Sequence, residues 1–150
     1  LRTFADRCHH GKEEDLLFPA LMEHGLPREQ GPVAVMLHEH TLGRQLIKRM
    51  AEGLAVGKVE ESTRAATEYI SLLRQHIQKE DNILFPMAER MLDDAERQEL
   101  LEQFACKEHH DMGEGTHEKY LEIAEQLCER YGVSATSAPK AVAAWRCCGH

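Results

Sequence analysis

At 150 residues the chain has the length of one domain, and 42% hydrophobic with 29% charged residues is an ordinary balance for a soluble helical protein. A net charge of −8 at pH 7 argues against nucleic acid or an anionic membrane as partner, since both would repel it, whereas small neutral or cationic ligands meet no such barrier. No apolar run approaches membrane-spanning length, and no secretory signal is visible.

The first predicted element carries His9-His10-Gly11-Lys12-Glu13-Glu14-Asp15-Leu16-Leu17-Phe18-Pro19. His9 and Glu13 stand one helical turn apart, so both can reach a common metal or two adjacent metals. A wheel at about 100° per residue groups them with Ala5, Leu16 and Ala20 and turns His10 and Glu14 to the outside edge. Pro19 lacks a backbone donor and is expected to kink or end the helix.

Gly25-Leu26-Pro27 and Gly31-Pro32 mark a short connection, and Pro32 can open the second helix at its first turn. Val33, Met36, Leu37, His40, Ile47, Ala51 and Leu54 then share one stripe, which makes His40 a candidate ligand. His38 lies two residues away, roughly 200° around the helix, and is assigned to the surface. Arg44, one turn beyond His40, either snorkels or brings a counter-charge to the site edge. Gly57-Lys58 closes the helix, and such short connections favour antiparallel neighbours.

The third element repeats the first as His76-Ile77-Gln78-Lys79-Glu80-Asp81-Asn82-Ile83-Leu84-Phe85-Pro86. The shared frame pairs His9 with His76 and Glu13 with Glu80, and sets His10 opposite Ile77 and Glu14 opposite Asp81. Tyr69, Leu72, Leu73, Ile83, Leu84, Met87 and Met91 surround His76 and Glu80 at helical offsets, so the pair is expected to point into the core. A buried carboxylate must be protonated, paired or given to a cation. Two buried His-Glu pairs therefore ask for metal, and imidazole plus carboxylate without thiolate suits iron or manganese better than structural zinc. Pro86 carries the same expectation as Pro19.

Two HxxxE copies ending in Leu-Phe-Pro, with Glu39-His40 between them, resemble the hemerythrin-like, or HHE cation-binding, family over residues 1–91. The resemblance implies an all-α antiparallel four-helix bundle holding a non-haem di-iron centre, oxo- or carboxylate-bridged. It implies His9, Glu13, His40, His76 and Glu80 as metal ligands, the two glutamates bridging. The family pattern begins with a helix bearing one further histidine; this chain opens at Leu1 inside the helix of His9, so the first bundle helix is expected to be absent from it. Oxygen-carrying hemerythrins resemble a version with two histidines on the third bundle helix, whereas Met36 and Arg44 stand one turn either side of His40. Fewer nitrogen ligands imply a more open iron. The expectation moves from oxygen carriage toward reaction with peroxide, nitric oxide or oxygen. A non-catalytic iron or oxygen sensor, carrier or store with the same ligands is the alternative.

Beyond a bundle assigned to 1–92, an extension at 93–132 is expected to pack on it or mediate a subunit contact, which leaves a homo-oligomer open. Asp93 or Asp94 caps a helix to about Asp111, with Leu100, Leu101 and Phe104 apolar, and Gly113-Glu114-Gly115 breaks it. Thr116 caps another helix with a stripe of His117, Tyr120, Ile123, Ala124, Leu127 and Tyr131. His110 and Glu114 form a third HxxxE, read as a solvated cluster with His109 because glycines interrupt the helix. His117 is either a cap-region histidine or a substitute for the absent N-terminal ligand. Residues 133–150 read as a loosely ordered tail. Cys8, Cys106, Cys128, Cys147 and Cys148 form no CxxC pair, which fits reduced thiols in a cytoplasm, with Cys8 a small buried hydrophobe.

Overall fold

The computed structural model describes Asp6, residues 8–112 and residues 116–133, and among these every regular element is helical. The first rod contains a wide π turn, π1 (Glu13–Leu17), and continues as α1 (Phe18–Glu23); α2 is Gly31–Ala55. The third rod runs as α3 (Val59–Lys79), a second π turn, π2 (Glu80–Leu84), and α4 (Phe85–Met91), followed by α5 (Asp94–Met112) and α6 (Thr116–Tyr131). Arg44 meets Asp6 while His40 meets Glu14, so α2 runs against the first rod. Arg49 meets Glu68 while Glu39 meets His76, so α3 runs against α2. Lys12 meets Glu108 while His24 meets Glu96, which sets α5 antiparallel to the first rod.

Glycine ends the first two rods in the same manner. Gly25 and Gly57 have φ of 95° and 73°, the left-handed region where a side chain is strained. After each, the chain folds back through paired amide bonds, Leu26 to Leu21 and Gly25 to Met22, then Lys58 to Gly53 and Gly57 to Leu54. The start of α5 is held by a reciprocal box in which Asp93 Oδ1 accepts the Glu96 amide at 2.9 Å and Glu96 Oε2 accepts the Asp93 amide at 2.8 Å.

The core gathers Leu17, Phe18, Leu21, Val33, Met36, Leu84, Ala88, Leu92 and Leu100 at one end of the bundle. Leu100 brings α5 into this core, whereas Ile123, Leu127 and Tyr131 on the predicted α6 stripe remain exposed. The expected α2 stripe holds at Val33, Met36, His40 and Ile47 but fails at Ala51 and Leu54, which are exposed. Glycines replace them on the packed face. A Cβ on Gly43 would lie 3.6 Å from Tyr69, and one on Gly53 only 2.5 Å from Ser62 Oγ, so the missing side chains let α3 approach. Gly53→Ala should therefore lower the thermal midpoint: overpacking costs about 1–3 kcal/mol, more than the roughly 1 kcal/mol of helix propensity that alanine returns.

Neither leucine-phenylalanine-proline sequence ends or interrupts its helical rod. Backbone angles at Leu17, Phe18, Leu84 and Phe85 are all right-handed helical, and the rods continue past Pro19 and Pro86 to Glu23 and Met91. The amide of Phe18 bonds the carbonyl of Glu13 and that of Phe85 bonds Glu80, both five residues back. That widened turn immediately before each proline accommodates a residue that cannot donate and whose ring would crowd an α-helical carbonyl.

Candidate metal centre

The π turns also change which residues face inward. Asp6 and Cys8–His10 are π-helical like π1, so rotation per residue is smaller than on an α-helical wheel and His10 turns into the bundle interior while His9 stays at its margin. His10, expected on the outside edge, is 5% exposed and stacks on His40 with ring centroids 3.8 Å apart. The His9 side chain, expected in the core, is half exposed. Ile83, expected on the inner stripe of the third rod, is exposed for the same reason, while Leu84 is fully buried.

Three rods supply two adjoining groups of donors. His10, His40 and His76 form one, all buried; His9, Glu13 and Glu80 form the other, and within each group the donor atoms lie within 4.8 Å of one another. The carboxylates stand between the groups. Glu13 Oε2 is 3.1 Å from His40 Nε2; Glu80 Oε1 is 3.1 Å from His76 Nε2 and 3.4 Å from His9 Nε2. All five sequence-predicted residues, His9, Glu13, His40, His76 and Glu80, thus meet in one place, and His10 joins them. His38 is exposed, as expected. Glu114 and the tail with Cys147, Cys148 and His150 lie outside the described residues, as does the side chain of His117.

Buried polar atoms normally find hydrogen-bond partners. Here His10 Nδ1, both carboxylate oxygens of Glu13, His40 Nε2 and His76 Nε2 are buried and, though close to opposite charges, none is met in hydrogen-bonding geometry. These are metal-ligating atom types aimed into one space, so the residues fit a cation there. The charges agree. Burial pushes the Glu13 carboxyl up. Burial acts the same way on Glu80, but His76 and His9 beside it hold it well below the usual carboxylate range. Burial disfavours the charged form of His9, yet Glu80 and Glu13 raise it to about 9, and Glu80 and Glu39 likewise outweigh burial at His76. His10, by contrast, is pushed down to about 2 by burial and the neighbouring His40, so it offers a neutral imidazole. A metal ligand must be free of its proton, so cation binding at such a site competes with protons.

Two glutamates and an arginine extend the site outward. His40 Nδ1 donates to Glu14 Oε1 at 2.7 Å, and His76 Nδ1 donates to Glu39 Oε2 at 3.0 Å. Arg44 takes the counter-charge role, donating to Glu14 at 2.8 Å and Asp6 at 2.5 Å; Lys79 pairs with Glu39. Cys8, next to His9 in sequence, is buried, forms no disulfide and lies outside both donor groups.

An all-α antiparallel bundle whose facing rods direct imidazoles and carboxylates inward defines a metal-binding helical protein, with donors suited to a non-haem iron pair. Residues 1–88 match the family model of the hemerythrin HHE cation binding domain, and the chain belongs to that family, whose cofactor is a non-haem di-iron centre. It is similar to the iron-sulfur cluster repair protein YtfE of Musicola paradisiaca (strain Ech703), 38% identical over 91 residues, 55% of this chain and 40% of that protein. The proteins of the same name from Yersinia pestis (strain Pestoides F) and Pectobacterium carotovorum subsp. carotovorum (strain PC1) are each 34% identical over 90 residues, 55% of this chain and 41% of theirs. The chain thus spans about two-fifths of the length of the curated relatives it matches. No solved structure matches it significantly. Among the described residues, no helix is long and apolar enough to cross a membrane.

Proposed function

We propose that the chain is a di-iron unit that reacts with small oxidants or nitric oxide, serving iron-sulfur cluster repair rather than oxygen carriage. The observation that carries this reading is the set of buried, unpartnered imidazole and carboxylate atoms on three rods. In this reading His10, His40 and His76 would hold one iron and His9 the other, with Glu13 and Glu80, which stand between the two donor groups, shared by both. A non-haem iron pair supplies a binding place for small ligands and a source of electrons.

The residues perform distinct tasks. His40 and His76 present Nε2 inward, the glutamates would offset the cationic charge, and half-exposed His9 stands on the solvent side of the cluster. Four imidazoles and two carboxylates, even with one further histidine, would leave positions open on two six-coordinate ions for a small ligand. The repair setting comes from the curated relatives, all named for it among those described above.

The test challenges the reduced, iron-loaded protein separately with nitric oxide, hydrogen peroxide and oxygen while electrodes follow each. Uptake of nitric oxide or turnover of peroxide is expected, with no reversible oxygen uptake. Oxygen taken up and released unchanged under vacuum, without peroxide turnover or nitric oxide uptake, would establish the carrier reading instead.

A further inference from the structure

We propose that Glu14 and Glu39 are positioning residues of the iron centre, each fixing the tautomer and ring angle of one buried histidine. This rests on the proposed ligand roles of His40 and His76. A neutral imidazole carries one N–H, and the nitrogen that donates determines which nitrogen keeps its lone pair. Because Nδ1 of His40 donates to Glu14 at 2.7 Å and Nδ1 of His76 donates to Glu39 at 3.0 Å, both rings present a bare Nε2 to the interior. Both Nε2 atoms are among the buried polar atoms without a hydrogen-bond partner.

Each carboxylate is itself held. Glu14 receives a second donor from Arg44, which Asp6 anchors from its other edge, and Glu39 receives Lys79. An anionic partner on Nδ1 makes the imidazole a stronger donor to a metal, and loss of such a partner typically lowers metal affinity about 10- to 100-fold. The arrangement is asymmetric, since His10, the third member of the nitrogen group, has no hydrogen bond on Nδ1. Its ring is placed instead by stacking on His40, so an error in His40 is transmitted to His10.

The experiment compares Glu14→Ala, Glu14→Gln, Glu39→Ala and Glu39→Gln with Glu68→Ala, whose carboxylate meets Arg49 on the exposed side of α2 and α3. Iron affinity is read by competition with a chelator, and the midpoint potential of the bound iron by redox titration, with helix content checked by circular dichroism. The alanine variants should lose about 10- to 100-fold in affinity. The glutamine variants keep an acceptor oxygen for Nδ1–H and should recover most of that affinity, but without the negative charge their potential should move in the positive direction. Glu68→Ala should match the parent in both. Unchanged affinity and potential in the alanine variants overturn the proposal, and so do equal losses in alanine and glutamine variants with the potential unmoved. Full iron in His76→Ala would instead defeat the ligand reading, a result distinguishable from an inert Glu39→Ala beside an iron-depleted His76→Ala.

Discussion

His76→Ala and Glu80→Ala should each abolish stoichiometric iron binding, while His38→Ala should bind iron as the parent does. His76 and Glu80 are both 3% exposed and lie 3.1 Å apart, with Glu80 also 3.4 Å from His9. Removing Glu80 therefore takes away the carboxylate shared by two histidines on different rods, and with it the acceptor that offsets burial at His76 and His9. Substituting His76 removes the ring that connects the nitrogen group to Glu80. His10→Ala should cost iron on a scale comparable with His9→Ala, because His10 is the more deeply buried of the two. Metal analysis of purified variants decides the matter. Full iron in Glu80→Ala would remove its bridging role, and full iron in His10→Ala would return His10 to the rim.

Much of this centre was legible because a repeat is stronger than a motif. One HxxxE is common on a solvated face, but two in a shared frame, each followed by Leu-Phe-Pro and surrounded by apolar offsets, selected His9, Glu13, His76 and Glu80. Their convergence is what the structure shows. The error at His10 came from assuming α-helical rotation through a segment that is π-helical. A signal was present, since a proline one and a half turns after each glutamate, inside an otherwise unbroken helical pattern, needs a wide turn to be tolerated. Glu14 and Glu39 escaped because periodicity reports which residues face inward, whereas a carboxylate that orients a ligand sits at the margin and is defined by its contact across rods. Ala51 and Leu54 were misplaced for a different reason: hydrophobic patterning overlooks glycine, and close approach at Gly43 and Gly53 sets the packed face of α2.

The two copies of Leu-Phe-Pro should respond unequally to the same substitution, Phe18→Ala being far more damaging than Phe85→Ala. Phe18 is 1% exposed, belongs to the core cluster and lies near-parallel to His40, offset at a centroid distance of 5.8 Å; Phe85 is only partly buried against that cluster. Truncating a fully buried phenylalanine costs about 3–5 kcal/mol through lost transfer energy and the cavity left behind. For a domain of this size a loss of that order lowers the thermal midpoint by roughly 10 °C or more. The same cavity opens beside His40 and frees a ring on which His10 is stacked, so iron affinity should fall together with stability. Phe85→Ala should cost less and leave iron binding nearly intact, because the half-buried ring touches the core from its edge. Thermal unfolding followed by circular dichroism, paired with iron analysis of the folded fraction, separates the two. Equal destabilisation by both substitutions would show that the repeat is symmetric in energy as well as in sequence, and that Phe18 has no special part in supporting the centre.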